Sequence, residues 1–336
     1  MSIVFQTSFD HYTTITHRFN SISGSPVIHA SAGRNSTSGL RFTSSYNASI
    51  TLPSNLTDIY VGFGFRCAAL PIATNRIILL YLNDAGTTQL TLQLLPNGQL
   101  AVYGSTSILL GTLSSFSVLP NVFYHIELYA RISNTVGLLQ ARVNEVEKLN
   151  LTGQDTQQST NSYVTDITLA AAGDFSGISP AQFDFDDLIV SNSGFIGDVQ
   201  VRCFLPTGIG TTNQWTATGA TTTVDCVDET APNSDTDYIS TASTGDISLF
   251  TYDSIPITST LLAVVPIPFA KKTDAGTAKI KSVVRHSGTN YSGAEKAPSN
   301  GAYEYHPDIL SVNPGTGVTW TASDWNAVEI GPERSA

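Results

Sequence analysis

Residues Phe183–Leu205 read FDFDDLIVSNSGFIGDVQVRCFL, and this stretch decides how the chain is divided. In its first part, Phe183, Phe185 and Ile189 recur at even spacing with aspartates between them. After a Ser/Asn/Gly-rich segment the alternation restarts at Val199. A period of two is typical of β-strands with two unlike faces. The stretch therefore predicts the last strand of one β-domain, a short linker and the first strand of another.

The segments on both sides of this stretch are also predicted to be strands. Apolar residues recur at every second position rather than every third and fourth, so we expect no helix of ordinary length. About ten strands precede the linker, which fits a two-sheet jelly roll. The predicted fold is all-β, with a jelly roll over residues 1–192, a linker over residues 193–196 and a second, smaller β-sandwich over residues 197–336.

Local patterns in the first domain predict specific geometry. In Asp58–Ala68 the apolar residues share one face and Gly62 and Gly64 lie on the other, so we expect another group to approach that face closely. Asn97-Gly98 lies between two strands and predicts a type I′ turn, in which both central residues have positive φ. Asn144-Glu145 predicts the turn of a further hairpin.

The second domain is predicted to contain a hairpin that pairs Leu261–Lys271 with Thr277–Arg285. Pro266 and Pro268 would end the first of these strands or place it at an edge, because proline cannot donate to a sheet ladder. Basic side chains collect here although the protein is acidic, and we predict that they form an interface with an acidic neighbour: Lys271, Lys272, Lys279, Lys281 and Arg285.

The composition excludes several classes of function. Charged residues are 13% of the 336 residues and the net charge is −11, so we expect no nucleic-acid partner, because an acidic surface repels phosphate. No apolar run reaches the roughly 18–20 residues of a membrane helix. The N-terminus lacks a signal-peptide pattern, so we expect folding in a cytoplasm. The cysteines are expected to be buried thiols, with a Cys203–Cys226 bridge as the alternative.

No catalytic constellation is visible in the sequence. Asp184, Asp186 and Asp187 could form a carboxylate cluster for glycoside hydrolysis, but no partner acid across a cleft can be assigned. The histidines lack the spacing of a metal site. We therefore predict no cofactor. Calcium is the alternative, because one loop contains several carboxylates that could bind Ca²⁺: Asp225, Asp228, Glu229, Asp235 and Asp237.

Aromatic side chains on the outer faces of the predicted strands have two candidate roles. They could stack on sugar rings, or they could lie at subunit interfaces, where tyrosine and phenylalanine are enriched. The low charge of the chain favours interfaces. The residues concerned are Tyr60, Tyr103, Phe123 and Tyr129. In the second domain, Trp320 and Trp325 are expected to anchor the core.

Two parts of the chain resemble known families. Within residues 1–192, the segments NVFYHIELYARI, LLQARVNEVEKLNL and AQFDFDDLIV resemble laminin-G and concanavalin-A-like jelly rolls, although Asn144-Glu145 stands where glycine is commoner in the turn. The second domain resembles the C-terminal part of tailed-phage and prophage structural proteins over four segments in order: GDVQVRCFLPTGIG, WTATGATTTVDCVDE, FAKKTDAGTAKIKSVVRHSGTNY and NPGTGVTWTASDWNAVEIG.

The resemblance to phage proteins implies a structural component of a tailed-phage virion. Such a chain, a tail appendage or a capsid decoration, would act through assembly contacts and would not be an enzyme. Its expected partners are other virion proteins and further copies of itself, for example in a trimer. Its expected location is the virion, after assembly in the host cytoplasm. The alternative is a carbohydrate-binding, lectin-like module that recognises host glycan, and a third class is a glycan hydrolase.

Overall fold

The computed structural model describes residues 2–336, whose regular secondary structure is almost entirely β. The chain divides into two compact units, of which the first ends at Arg202 and the second is Cys203–Ala336. Residues 193–196, the predicted linker, lie inside the first unit. The predicted all-β class, a jelly roll followed by a smaller β-sandwich, is confirmed. Within residues 2–336, no helix is long and apolar enough to cross a membrane.

The strands of the first unit vary in length, and two single 3-10 turns, Ile15–His17 and Arg34–Ser36, lie between the early ones. The strands are β1 (Ile3–Thr7), β2 (Ser21–Ser23), β3 (Val27–His29), β4 (Gly39–Phe42), β5 (Tyr46–Leu56), β6 (Asp58–Cys67), β7 (Ile77–Asp84), β8 (Thr87–Leu94), β9 (Leu100–Gly104), β10 (Ile108–Thr112), β11 (Tyr124–Arg131), β12 (Gly137–Val143), β13 (Val146–Gln154), β14 (Val164–Gly173) and β15 (Phe183–Ser191).

These strands form two antiparallel sheets, as in a jelly roll. The first sheet has the order β13-β12-β11-β6-β15-β4-β3, and β1 also pairs with β15. The second sheet has the order β10-β9-β8-β7-β14-β5-β2. The apolar residues of the alternating pattern are buried, and the rings of Phe63, Phe65 and Phe42 pack around Phe185 with centroids 5.3–5.6 Å from it. β15, the first part of the stretch quoted at the outset, therefore lies inside the first sheet between β6 and β4.

The two predicted hairpin turns have different outcomes. Asn144 and Glu145 join β12 to β13, and both have positive φ, 47° and 66°. Asn97-Gly98 also joins two strands, but only Gly98 has positive φ, 80°. The N–H of Leu95 donates to the carbonyl of Gln99, so the loop between them is a three-residue connection and not the predicted type I′ turn.

The second unit is built on one sheet of order β16-β19-β24-β21-β22, with two separate strand pairs, β17-β18 and β20-β23. Its elements are β16 (Pro206–Asn213), β17 (Thr216–Thr218), β18 (Tyr238–Ser240), β19 (Ser248–Tyr252), β20 (Phe269–Ala270), β21 (Ile280–His286), β22 (Thr289–Ser292), β23 (Glu304–Tyr305), α1 (Ala322–Trp325) and β24 (Glu329–Arg334).

The hairpin predicted for the second unit is wrong. β21 pairs with β22 and β24, whereas β20 pairs with β23. The segment that contains Pro266 and Pro268 forms no strand before Phe269, and the contact of Val264 with Leu310 is an isolated bridge. The prolines remove two ladder donors, so the segment could not supply the predicted long strand.

The core of the second unit is small, and the two predicted tryptophan anchors lie in it. Trp320 is 2% exposed and Trp325 is 9% exposed, and each indole N–H donates to a backbone carbonyl. The buried apolar residues of this unit are Cys226, Leu249, Phe250, Val264, Ile280, Val283, Val284, Trp320, Ala322, Trp325, Val328 and Ile330, whereas the first unit buries several times as many.

None of the three cysteines forms a disulfide. Cys67 and Cys226 are buried, as predicted, and Cys203 is half-buried. The alternative of a Cys203–Cys226 bridge is therefore not realised. Burial raises the pKa of the Cys67 thiol to about 12, so it stays protonated and unreactive at neutral pH.

Candidate functional site

The outer face of the first sheet carries a dense set of polar and aromatic side chains. It is the side on which the outward residues of β6 lie: Tyr60, Gly62, Gly64 and Arg66. The residues between them on β6 are buried on the opposite side. Chain segments cover the middle of this face, and both ends carry polar or aromatic groups that remain partly exposed.

Strand register aligns four outer-face residues in a row across the sheet. Tyr60 of β6 lies opposite Tyr129 of β11, Tyr129 opposite Gln140 of β12, and Gln140 opposite Asn150 of β13. We call these residues the open row, because Tyr60 and Gln140 are half-exposed and Asn150 is exposed. Tyr129 is buried, at 5% exposure.

Three aromatic rings meet at one end of the open row. Tyr60 and Tyr129 stack with their centroids 4.3 Å apart and their planes at 14°. Phe195 lies edge-on to both, 5.2 Å from Tyr60 and 6.4 Å from Tyr129. The Tyr129 hydroxyl donates to Asp58 Oδ1 at 2.6 Å, and burial together with this carboxylate raises the pKa of Tyr129. The Tyr60 ring is therefore held by rings on two sides.

Residues 195–201, which we call the strap, cross the middle of the outer face. Ile196 is buried, and the N–H groups of Ile196 and Gly197 donate to Glu127 Oε1 at 2.8 and 2.9 Å. The N–H of Val201 donates to Asp187 Oδ1 at 2.7 Å. The sequence predicted a strand of the second domain here. No strand forms, because side-chain carboxylates of the first sheet take these backbone donors.

A β-bulge in β15 places two consecutive carboxylates on the outer face. The register of β15 against β6 shifts between Asp186 and Ile189, and Asp187 has a positive φ of 49°. Asp186 accepts from the N–H of Arg34, and Asp187 accepts from the guanidinium of Arg34, both at 2.7 Å. Bulges commonly redirect side chains in this way. Simple alternation would have placed only one of the two aspartates on this face.

The turn that contains Arg34 covers the face beside the strap. Arg34 also pairs with Asp198 and donates to the Val199 carbonyl, so it ties the strap to the sheet. A Cβ at Gly64 would lie 3.0 Å from Arg34 Cδ, and one at Gly62 would lie 3.4 Å from His125 Nε2. The close approach that the two glycines predicted is confirmed.

Burial shifts the proton affinities of the covered groups. It raises the pKa of Asp186 to about 8, with the charge of Asp187 adding to the effect, and it also raises the pKa of Asp187 against the opposing charge of Arg34. Burial lowers the pKa of His125, although the charge of Glu127 opposes this shift. Burial therefore favours the protonated form of Asp186 and the neutral form of His125, which are an acid and a base by their chemistry.

Two buried atoms beside the strap have no hydrogen-bond partner among the described residues, His125 Nδ1 and Glu127 Oε2. Both side chains are almost fully buried. Their neighbours on the sheet are Gly62 and Gly64, which add no side chain. The acid and base groups of the face thus lie together under the strap and the Arg34 turn, where their side chains are almost fully buried.

Asp184 has a separate role at the opposite end of the face. It is fully buried between two arginines, with Arg41 Nε at 2.7 Å and Arg66 Nη2 at 2.6 Å. The guanidinium of Arg66 also lies over the ring of Phe123, 4.5 Å from its centroid. Asp184, Asp186 and Asp187 are therefore divided between two clusters and do not form the single carboxylate cluster considered from the sequence.

The structure brings together two of the four predicted aromatic residues. Tyr60 and Tyr129 lie side by side in the open row, whereas Phe123 lies at the Arg66 end of the same sheet. Tyr103 is on β9 of the second sheet, and the guanidinium of Arg76 covers its ring at 4.9 Å. Phe195 completes the aromatic cluster and was not predicted.

The predicted basic interface residues all lie in the second unit, each with a partner of its own. Lys271 pairs with Asp235, Lys279 and Lys281 approach Glu295, Lys272 donates to the Gly276 carbonyl, and Arg285 donates to Asn290. These pairs are mostly exposed and would compete only weakly with a partner protein. The proposed interface therefore stays a prediction.

The predicted acidic loop does not converge on one point. Asp235 pairs with Lys271, and Glu229 accepts from Asn233 at 2.9 Å. Burial raises the pKa of Glu229, with Asp237 and Asp228 contributing. Within residues 2–336, no group of three or more His, Cys, Asp or Glu side chains is arranged to hold a metal ion.

No protein-family model and no curated protein matches the chain. Among solved structures, the alginate lyase Aly36B is 14% identical with a TM-score of 0.42, over 56% of this chain and 96% of the lyase. The cellulose induced protein Cip1 is 15% identical with a TM-score of 0.43, over 59% of this chain and 99% of that protein. A Trypanosoma rangeli sialidase is 11% identical with a TM-score of 0.34, over 47% of this chain and 25% of the sialidase.

These comparisons correct one expectation. The sequence predicted that the chain is not an enzyme, because no catalytic constellation was visible. That prediction is contradicted, since the solved structures that resemble the chain include an alginate lyase and a sialidase. The names describe those proteins and assign no substrate to this chain. Enzymatic activity is therefore not excluded here, and Asp186, His125 and Glu127 are the buried acid and base groups that the sequence did not combine.

Proposed function

We propose that the first unit binds carbohydrate on the open row of its outer face. The observation that carries this proposal is the alignment of an aromatic ring with side-chain amides across four strands, where Tyr60, Gln140 and Asn150 all remain solvent-accessible. A sugar offers an apolar C–H face and a rim of hydroxyl groups. The aromatic ring can stack on the C–H face, and the amides can form hydrogen bonds with the hydroxyl groups.

The ring of Tyr60 is a preorganised platform. Stacking on Tyr129 and the edge of Phe195 fix its plane, and the bond from Tyr129 to Asp58 fixes the ring beside it. A ligand that stacks on a fixed ring loses less conformational entropy than one that must order the ring first. No protein group among residues 2–336 bonds the Tyr60 hydroxyl, so this hydroxyl is left for a ligand or for solvent.

The amides of the row retain hydrogen-bonding capacity. Gln140 Nε2 donates to Asn150 Oδ1 at a long 3.4 Å, and Asn150 Nδ2 donates to Glu147. The carbonyl oxygen of Gln140 has no protein donor among the described residues. Neutral amides can both donate to and accept from sugar hydroxyls. The row therefore offers both kinds of bond without burying a charge.

A glycan array probed with the full chain tests this proposal. Tyr60→Ala should lower affinity for the bound glycan about tenfold, because a stacking surface is lost. Tyr81→Ala is the matched control, since Tyr81 is also half-exposed but lies on β7 of the second sheet. Binding that is equal in the two variants, or no binding to any glycan by the wild-type chain, would refute the proposal.

A second candidate follows from the resemblance to phage proteins, and the small core of the second unit favours it. We propose that this unit makes assembly contacts in a tailed-phage virion, with other virion proteins or further copies of the chain as partners. Ile209, Ile257 and Val318 of this unit are at least 45% exposed. Glycan recognition by the first unit is compatible with such a location.

Two measurements test the second candidate. Mass spectrometry and imaging of purified particles would give the position and copy number of the chain. Light scattering of the full chain in solution would give its oligomeric state. Many ordered copies per particle are expected, and a stable oligomer would fit self-assembly. Absence from particles would refute the virion assignment while leaving the carbohydrate proposal in place.

A further inference from the structure

Arg142 is the cation next to the open row, and it has no carboxylate partner. It lies on β12, two residues after Gln140, and its guanidinium carbon is 4.0 Å from the centroid of the Phe195 ring. The other arginines of this face each form an ion pair: Arg34, Arg41, Arg66 and Arg131. Within residues 2–336, Arg142 forms neither a salt bridge nor a hydrogen bond through its side chain.

Two carboxylates lie opposite Arg142 in the sheet, and neither forms an ion pair with it. Glu127 lies opposite it on β11; its Oε1 accepts from two backbone N–H groups of the strap, and its Oε2 is buried without a hydrogen-bond partner. Glu147 lies opposite it on β13 and accepts from Asn150 at 3.2 and 3.3 Å. Neither comes within ion-pair distance of the guanidinium. The N–H donors of Arg142 therefore remain available to a ligand on the same face.

The position of Arg142 also limits its motion. The Phe195 ring beneath the guanidinium holds its plane, and Phe195 in turn packs against Tyr60 and Tyr129. A planar guanidinium held in this way presents its donors as a fork, which matches the two oxygens of a carboxylate or a sulfate. The half-burial of the side chain strengthens such a bond relative to one in bulk water.

We propose that the glycan bound on the open row is acidic, and that Arg142 binds its carboxylate or sulfate group while Tyr60 stacks on a sugar ring. This inference rests on the proposed carbohydrate site. It adds the ligand class: a sugar chain whose negative charge lies two strand spacings, roughly 10 Å, from the stacked ring, because β11 separates β6 from β12. The protein carries a net charge of −11, so an acidic ligand is attracted locally through Arg142 and not by the overall field.

Calorimetric titration of the full chain with three ligands tests the inference. The ligands are a neutral glucose oligosaccharide, a sulfated form of it and a glucuronic acid oligosaccharide. We expect Arg142→Gln to weaken binding of an acidic ligand by about tenfold to a hundredfold, the range for a lost charge-assisted bond, and to weaken binding of the neutral ligand much less. The affinity of Arg142→Lys for an acidic ligand should lie between those of the wild type and Arg142→Gln, because lysine keeps the charge but lacks the planar fork of donors.

Arg76→Gln is the matched control, because Arg76 also lies over an aromatic ring but belongs to the other side of the jelly roll. It should bind all ligands like the wild type. Equal affinity of the wild-type chain for neutral and acidic ligands, or an Arg142→Gln variant that binds acidic ligands normally, would overturn the inference and leave the proposed function standing. If none of these ligands nor any glycan on the array binds, the proposed function itself fails.

Discussion

The two units of the chain achieve stability in different ways. The first buries a large apolar set between two sheets and places ion pairs under covering segments. The second has a small core around Trp320 and Trp325, and its charged pairs are mostly exposed. Hydrophobic burial is the main favourable term in folding, so we expect the first unit to be the more stable of the two. The contrast lies in how much apolar surface each unit buries and in how exposed its ion pairs are.

Replacement of a core tryptophan should have the largest effect and should separate the two units. Trp320→Ala is expected to cost about 3–5 kcal/mol, the usual range for a buried tryptophan. Because the second unit has few other buried apolar residues, we expect its amide protons to exchange rapidly. The strands of the first unit should keep their protection. Hydrogen exchange with mass spectrometry on the full chain would show this, and equal loss of protection in both units would contradict the contrast.

Removal of a buried charge from the first unit should lower its free energy of unfolding almost as much as Trp320→Ala lowers that of the second unit. Asp184 is fully buried between Arg41 and Arg66, so Asp184→Ala leaves two arginines without a carboxylate. The expected loss is about 3 kcal/mol, measured by urea unfolding of the first unit. The matched variant in the second unit is Lys279→Ala, which breaks an exposed pair with Glu295 and should have little effect. Similar losses in both variants would remove the distinction drawn between the units.

The glycines of β6 offer a smaller and more local test. Gly64→Ala would place a Cβ 3.0 Å from Arg34 Cδ and push the guanidinium away from Asp187, so we expect a loss of about 1–2 kcal/mol. Gly62→Ala would place its Cβ 3.4 Å from His125, which is nearly ordinary contact. Thermal unfolding should show a lower midpoint temperature for Gly64→Ala and an unchanged one for Gly62→Ala. The reverse order would mean that Arg34 does not approach the sheet as described.

The smallest expected effect is the pH dependence contributed by Asp186. Its pKa in the folded protein is about 8, above its ordinary value of 3.8, so the folded state holds a proton that the unfolded state has lost. The free energy of unfolding should therefore fall as the pH rises, by about 1 kcal/mol between pH 7 and pH 8. Burial also raises the pKa of Asp187 and Asp10, which act in the same direction.

Urea unfolding at pH 7 and pH 8 measures this slope, and Asp186→Asn is the variant that should reduce it. The amide cannot ionise, so the pH dependence should become shallower even if the variant is less stable overall. The slope is the readout, because the amide also replaces an acceptor for the N–H of Arg34. An unchanged slope would show that Asp186 is ionised in the folded protein at neutral pH.

Period-two patterns in the sequence predicted the phase of the strands that form the outer face. Asp58–Ala68 and Asn121–Ile132 alternate cleanly, so Tyr60 and Tyr129 could be assigned to the same kind of face before their pairing was known. Gly62 and Gly64, two positions apart on one strand, also predicted that another group comes close to this face. The structure shows that His125 approaches Gly62 and that Arg34 approaches Gly64. These features are local, and local patterns are what a single sequence reports well.

The features that the sequence did not predict depend on contacts far apart in the chain. Val199 and Val201 alternate like a strand, but the strap lies on the first sheet because Glu127 and Asp187 take its N–H donors. Arg34 lies in an irregular polar segment with no pattern that relates it to β15. The bulge at Asp187 breaks the alternation that the prediction assumed. None of these has a short-range signature.

Hydrogen exchange of the full chain, with and without the glycan that binds best, would locate the carbohydrate site directly. Slower exchange is expected at the outer-face strands β6, β11, β12 and β13, which carry the open row, and unchanged exchange is expected in the second sheet and the second unit. At a ligand concentration near the Kd of the wild-type chain, Tyr60→Ala should remove most of that protection, because its affinity is expected to be about tenfold lower. Protection confined to the second sheet or the second unit, or protection that survives Tyr60→Ala, would contradict a carbohydrate site on the open row.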